Sequence, residues 1–239
     1  MTSAVVATKS LALVLRRVEF GESDLVLTLF TEALGRVSAL ARGARKSQRR
    51  YGGALEPFFT LSVRLEERAG RELLTLTEAS LTRPRTALLG ELSRLSAAGR
   101  ATNWLRQAAP PRTPEPQVWQ LMERLLDRLA DPRATPNPER ELAETGLSLL
   151  SAFGWGLDLE RCVSCGKVCP EQVRAGVDVS RGGVVCRDCG GGRVQLGSAT
   201  RVRLARAAAG GSDSLVDDDV SVALDLVTRV FAAHAGVES

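Results

Sequence analysis

Histidine is almost absent from this sequence: its 239 residues include a single one, His234, five residues from the C-terminus. Most schemes for general acid–base catalysis, and many that activate a nucleophile, depend on histidine. There is also no Gly-x-x-x-x-Gly-Lys-Ser/Thr motif for nucleotide phosphates, and no His-x-Glu upstream of the cysteines, as a zinc deaminase would require. We therefore expect a protein that is not an enzyme.

Long apolar runs are also missing, since no segment approaches the roughly 18 residues that a membrane-spanning helix needs. Residues 1–9 contain neither the basic start nor the long apolar stretch of a signal peptide. The chain is 44% hydrophobic and 25% charged, which is typical of a folded globular protein. We expect a cytoplasmic protein without a membrane anchor.

Lysine is scarce, with only three residues, so that arginine supplies most of the positive charge. Residues 1–85 contain 14 Lys and Arg against 9 Asp and Glu, whereas residues 86–239 contain 18 against 19. The excess positive charge therefore lies in the first third of the chain, which indicates a basic binding domain attached to near-neutral scaffolding. The planar arginine fork suits contacts to phosphate, although a genomic bias toward arginine codons would give the same composition.

Cysteine is also infrequent, but four of the five residues form two Cys-x-x-Cys pairs separated by 20 residues. This spacing predicts a four-cysteine zinc site formed by Cys162, Cys165, Cys186 and Cys189. Four thiolates leave no open coordination position, so the zinc would be structural. The alternative is two disulfides, against which the missing secretory signal argues. Cys169 is either a decoy ligand or a packed thiol.

The first third of the chain contains five short apolar or alternating segments, each bounded by turn residues. These segments are residues 11–18, 25–30, 35–40, 61–65 and 73–77. Five short strands in about 75 residues indicate a small closed barrel, for which the five-stranded OB-fold is the first candidate. OB-folds commonly bind oligonucleotides on one face.

A strongly basic segment follows the third predicted strand, with five cations in nine residues: Arg42, Arg45, Lys46, Arg49 and Arg50. It is either a solvated mobile loop or a phosphate-binding arm, and its place on a barrel favours contact with nucleic acid. Tyr51 follows and could either stack on a base or pack beneath the loop. Arg16 and Arg36, on the first and third predicted strands, complete the candidate set. Arg201, Arg203 and Arg206 are secondary basic candidates.

From Thr82 onward the apolar residues recur at helical spacing, with Thr82 as the expected N-cap. Further helices are predicted from Pro116, over residues 139–153 and 198–209, and from Asp217. The fold class is therefore α+β. We expect a barrel domain at 1–82, a helical domain at 83–160 and 197–239, and a zinc module at 161–196 inserted in it.

Several sequence segments resemble the bacterial RecO family of recombination mediators. They are Ala12-Leu-Val-Leu-Arg-Arg17, Gly21-Glu-Ser-Asp24, Leu29-Phe-Thr31, Gly35-Arg-Val37, Ala41-Arg-Gly-Ala-Arg45 and Tyr51-Gly-Gly-Ala-Leu-Glu-Pro-Phe58. The order of a basic barrel, helices and an embedded pair of Cys-x-x-Cys motifs is similar as well. The resemblance is strongest over residues 10–60 and the cysteine segment, and the intervening helices match by arrangement only.

The resemblance implies a non-enzymatic, nucleoid-associated protein that binds single- and double-stranded DNA and anneals complementary strands. It also implies that the protein acts with RecR and that it helps RecA displace single-strand-binding protein in recombinational repair. In some relatives the C-terminal tail of single-strand-binding protein docks on the helical domain. Not every RecO carries the cysteines, so zinc is expected to be structural in the subset that does. An alternative function is a zinc-stapled adaptor whose basic arm binds an acidic protein.

Overall fold

The structure is a computed structural model, which describes residues 5–47, 51, 54–68, 70, 72–131, 133, 137–211 and 214–234. The chain divides into two compact units, residues 1–120 and 121–239. The first unit contains a five-stranded sheet and the second is mainly helical, so the predicted α+β class is confirmed.

Five strands form the sheet of the first unit and close it into a barrel: β1 (Val5–Phe20), β2 (Asp24–Thr31), β3 (Gly35–Ala41), β4 (Thr60–Arg68) and β5 (Leu74–Arg83). Their order around the barrel is β1-β2-β3-β5-β4. Neighbouring strands are antiparallel except β3 and β5, which are parallel. The five strands predicted from sequence are thus confirmed.

Alternation of apolar and polar residues determines which side chains fill the barrel. Leu25, Leu27 and Leu29 of β2 point inward and are buried, and the buried residues of β4 alternate in the same way. Each fully buried leucine contributes about 1.5–3 kcal/mol relative to its exposed state. A one-residue shift of register would move the whole set to solvent, so this pattern fixes the pairing.

The long strand β1 pairs with two strands: residues 5–13 pair with β4 and residues 12–20 pair with β2. A register shift between Val14 and Arg16 interrupts the pairing with β2. Such a bulge bends a strand and increases its twist. The last five residues of β1 are exposed and form a hairpin with β2, whose Leu25 and Leu27 remain in the barrel core.

The predicted N-cap at Thr82 is wrong, because Thr82 lies inside β5. A short 3-10 helix, Thr86–Gly90, follows that strand with Arg85 at its N-cap position. Helix α1 (Leu92–Ala108) begins only after this turn. Pairing of β5 with β4 reaches Arg83, so the sheet overrides the helical spacing that starts at Thr82.

Helix α2 (Pro116–Ala130) crosses from the first unit into the second. The second unit also contains α3 (Pro138–Ala152), α4 (Ser198–Ala208) and α5 (Asp217–His234). Helix α3 packs against both α4 and α5. None of the helices in the described ranges combines the length and the hydropathy that crossing a bilayer requires.

A second, three-stranded sheet lies between α3 and α4 in the chain. Its strands are β6 (Ala175–Asp178), β7 (Gly183–Val185) and β8 (Val194–Leu196), in the order β7-β6-β8. Both pairings are antiparallel. This sheet lies within the segment that carries the cysteines, and the sequence pattern did not predict it.

Candidate metal centre and nucleic-acid interface

The four cysteines of the two Cys-x-x-Cys pairs lie together in the second unit. The sulfurs of Cys162, Cys165, Cys186 and Cys189 are all within 4.8 Å of one another, and no other such group occurs among the described residues. Four sulfurs placed about 2.3 Å from a central zinc would be about 3.8 Å apart. The Cys165 and Cys186 sulfurs are 3.8 Å apart, so the donor set fits a tetrahedral zinc.

Each cysteine pair is held by a short turn closed by glycine. Gly166 adopts φ 71° and its N–H donates to Cys162 O at 2.8 Å. Gly190 ends the 3-10 helix Arg187–Cys189 with φ 102°. These left-handed conformations favour glycine, because a Cβ would be strained there. The turns direct both sulfurs of each pair toward the same small volume.

The cysteine sulfurs differ in how readily they ionise. The backbone N–H of Cys186 donates to the Cys162 sulfur at 3.4 Å and, with other backbone donors, lowers the pKa of Cys162 to about 5. Hydrogen bonding with the sulfurs of Cys186 and Cys165 raises the pKa of Cys189 to about 12. A cation bound among the sulfurs would counteract the raised pKa of Cys189, because coordination deprotonates a thiol.

All five cysteines are free thiols, so the disulfide alternative does not describe this structure. Cys169 is half-buried and lies outside the group of four. Its backbone N–H donates to Glu160 O at 2.8 Å, which fixes the chain between the first cysteine pair and β6.

The first part of the basic segment is a series of turns directly after β3. Arg42 and Lys46 are exposed there. Arg45 is also exposed, but its guanidinium is 3.2 Å from the Glu19 carboxylate. Arg49 and Arg50 lie outside the described residues.

Hydrogen bonds attach this segment to the β1–β2 turn. Asp24 Oδ1 accepts from Gly43 N at 2.8 Å, and Ser23 O accepts from Arg45 N at 3.0 Å. Gly43 has φ 65° and supplies the sharp bend that this contact needs. The segment from Arg42 to Lys46 is therefore held by these contacts in a defined position beside the hairpin, a feature that sequence reasoning missed.

The two strand arginines of the candidate set have different environments. Arg16 is exposed on β1 opposite Thr28. Arg36 is half-buried, and its Nε donates to Ala109 O at 2.7 Å, at the end of α1. Arg16 thus presents its charge to solvent, whereas Arg36 joins β3 to the chain that follows α1.

Tyr51 lies in the barrel core with 3% of its surface exposed. Its hydroxyl donates to Leu76 O at 3.0 Å. Of the two alternatives for this ring, the structure has the one in which it packs beneath the basic segment.

The secondary basic candidates lie on one short helix, α4, in three different environments. Arg201 is buried, and its guanidinium donates to the carbonyl oxygens of Leu159, Cys169 and Pro170. Arg203 forms a bidentate pair with the buried Asp219, which holds the pKa of that carboxyl below its ordinary value. Arg206 is exposed. The structure therefore gives these arginines no common surface.

Comparisons with known proteins agree with the resemblance seen in the sequence. The family model "Recombination protein O N terminal" matches residues 5–85, and "Recombination protein O C terminal" matches residues 89–237. A protein of Anaeromyxobacter sp. (strain K) named "DNA repair protein RecO" is 40% identical over 237 residues, which cover 95% of this chain and 91% of that protein. Proteins of the same name from Geobacter sulfurreducens and Myxococcus xanthus are 37% and 36% identical, over 81% and 75% of this chain and 76% and 71% of their own.

Proposed function

The chain belongs to the RecO family of DNA repair proteins, and on that premise we propose that it binds single- and double-stranded DNA and anneals complementary strands. It would do so without catalysing a reaction. The observation that carries this proposal is the set of exposed cations on a closed barrel: Arg16 on β1, and Arg42 and Lys46 in the turns after β3.

The barrel is proposed to be an OB-fold. Its strand order, β1-β2-β3-β5-β4, and its parallel β3–β5 pairing support this assignment. In such five-stranded barrels, one face and the adjoining loops bind oligonucleotides. The basic segment lies in the connection that leaves β3, next to the β1–β2 turn.

Annealing requires two negatively charged backbones to approach one another without regard to base sequence. Arginine and lysine contacts to phosphate achieve this, because they position the nucleic acid but do not read base edges. We propose that Arg16, Arg42, Lys46, Arg45 and the neighbouring Arg49 and Arg50 provide these contacts. Arg36 would add a further phosphate contact from its position on β3. Tyr51 is buried, so its ring is not part of the proposed surface.

The cysteine cluster is proposed to hold a structural zinc ion. Four thiolates would complete the coordination and leave no position for water, so the metal would stabilise the fold of the segment. The fit of the sulfur separations supports this proposal. The domain limits 1–82, 83–160 with 197–239, and 161–196 are proposed from the order of the strand, helix and cysteine segments in the sequence.

Partners are proposed from membership of the family. RecR would act with this protein, RecA would be loaded on single-stranded DNA, and the C-terminal tail of single-strand-binding protein would dock on the helical domain. These events would take place in the cytoplasm at the nucleoid, within the RecF pathway of recombinational repair.

The first test replaces Arg16, Arg42 and Lys46 with Ala in one variant. Single-strand affinity should fall, and the slope of log K against log salt should flatten by about 2, because each phosphate contact contributes roughly 0.7. Fluorescence anisotropy across a salt series measures both quantities, and annealing of complementary oligonucleotides should slow in parallel.

The matched control replaces three exposed arginines of the second unit, Arg133, Arg193 and Arg229, with Ala. It removes the same charge and should leave the slope nearly unchanged. If wild-type protein binds no DNA even at low salt and anneals no strands, the adaptor function, with an acidic protein on the basic segment, replaces this one.

A further inference from the structure

The chain has ten aromatic residues, all of them in its described part, and nine are buried or half-buried. Phe20 is the exception, with 58% of its surface exposed. An exposed phenylalanine costs free energy that a polar residue at the same position would avoid. A single exposed apolar residue is ordinary, so the surroundings of Phe20 decide whether its ring has a role.

Phe20 lies on the outer face of the β1–β2 hairpin. Successive residues of a strand point to opposite faces, so Arg16, Val18 and Phe20 share one face. Their partners on β2 are Thr28, Val26 and Asp24, which alternate with the inward leucines. Val18 is also 43% exposed, and Leu40 of β3 continues the face opposite Val26.

The ring also lies next to the basic segment. Phe20 pairs with Asp24 across the hairpin. The Asp24 carboxylate accepts a hydrogen bond from the backbone N–H of Gly43, the residue that follows Arg42. Glu19, the residue before Phe20, pairs with Arg45. An exposed ring is thus connected through its strand partner and its chain neighbour to the turns that carry the proposed phosphate contacts.

We propose that Phe20 stacks on an unpaired base, so that this hairpin face selects single-stranded over double-stranded nucleic acid. The inference rests on the proposed function and adds to it the class of substrate. Every base has an aromatic face, so stacking holds single strands without reading their sequence. In a duplex these faces are covered by neighbouring base pairs, and only phosphate contacts remain.

The experiment compares two labelled oligonucleotides of equal length, oligo-deoxythymidine and a fully abasic strand with the same phosphates. Full-length wild-type protein should bind oligo-deoxythymidine more tightly. Phe20→Ala should weaken that binding about 5- to 100-fold, as expected for one lost stacking contact, and leave the abasic strand unaffected. Phe20→Trp should restore the difference, whereas Phe20→Leu, which retains an apolar side chain without a ring, should not.

Val18→Ala is the matched control, since it removes an exposed apolar side chain from the same face without removing a ring. It should change neither affinity. The inference is overturned if wild-type protein binds both oligonucleotides equally, or if Phe20→Ala weakens both alike. In either case DNA binding by the cations still stands. If wild-type protein binds neither strand, the proposed function itself fails.

Discussion

Arg201 differs from the other arginines of α4 because backbone carbonyls enclose its guanidinium. Its side chain is 1% exposed and donates to Leu159 O at 2.5 Å and Pro170 O at 2.6 Å. These acceptors lie on either side of the first cysteine pair in the chain. A single side chain of α4 therefore fixes both ends of the segment that carries Cys162 and Cys165.

Replacing Arg201 with Met should destabilise the protein by about 2–4 kcal/mol, because it removes the donor of the buried Leu159 carbonyl and those of the partly buried Cys169 and Pro170 carbonyls. Arg206→Met on the exposed side of α4 should change stability by no more than about 0.5 kcal/mol. Urea unfolding of the metal-bound proteins measures both values. Equal losses of stability from the two substitutions would show that the buried Arg201 guanidinium stabilises the fold no more than the exposed Arg206 does.

For single residues, the chemical type of a candidate could be predicted from the sequence, but its burial and its contacts could not. The group of four cysteines could be predicted because the chemistry and spacing of the two Cys-x-x-Cys pairs are local in the sequence. Arg201 was a candidate for DNA contact, and the sequence left open whether Tyr51 stacks on a base or packs beneath the loop. Both residues are buried in the structure. Asp24 and Phe20 were missed because their roles depend on which turn lies beside the hairpin.

At the scale of elements, the contact between the β1–β2 turn and the turn after β3 gives the basic segment its position. Asp24→Ala removes the acceptor for Gly43 N, whereas Asp24→Asn keeps an oxygen there. Loss of the carboxylate charge alone would raise DNA affinity in both variants. We expect Asp24→Ala to bind single-stranded DNA about fivefold more weakly than Asp24→Asn, as for one lost hydrogen bond.

Anisotropy at one fixed salt concentration compares these two variants with the wild type. An equal rise in affinity for both would mean that Asp24 acts through its charge and not through the position of the segment. Ser23→Ala keeps the backbone contact from Arg45 N to Ser23 O but removes the Ser23 hydroxyl, which donates to Asp24 Oδ1 at 3.2 Å, so any loss of affinity in this variant should be smaller than in Asp24→Ala.

Elements with strong periodicity were predictable, and short ones were not. The alternation of Leu25, Leu27 and Leu29 identified β2, and helical spacing identified α2 and α5. Strands β6 to β8 have three or four residues each, too few for alternation to be recognised. The N-cap predicted at Thr82 was wrong because the pairing of β5 with β4 continues to Arg83, past the start of the helical spacing.

At the scale of the whole molecule, the excess positive charge and the cysteine cluster belong to different parts of the chain. The net positive charge lies in residues 1–85, and the cysteine cluster lies in the unit formed by residues 121–239. A metal in that cluster would stabilise its own segment through folding energy. The proposed phosphate contacts, by contrast, depend on a barrel that has its own buried core.

Chelation of the metal should therefore affect one unit and not the other. Hydrogen exchange should show lost amide protection in β6 to β8 and unchanged protection in β1 to β5, and the affinity for single-stranded DNA should be unchanged.

Cys165→Ser should reproduce the chelated state, whereas Cys169→Ser should retain one metal ion per chain by native mass spectrometry, since Cys169 lies outside the group of four. Full protection of β6 to β8 without metal would show that the cluster is not structural. Loss of DNA binding with an intact barrel would place the DNA contacts on the cysteine segment.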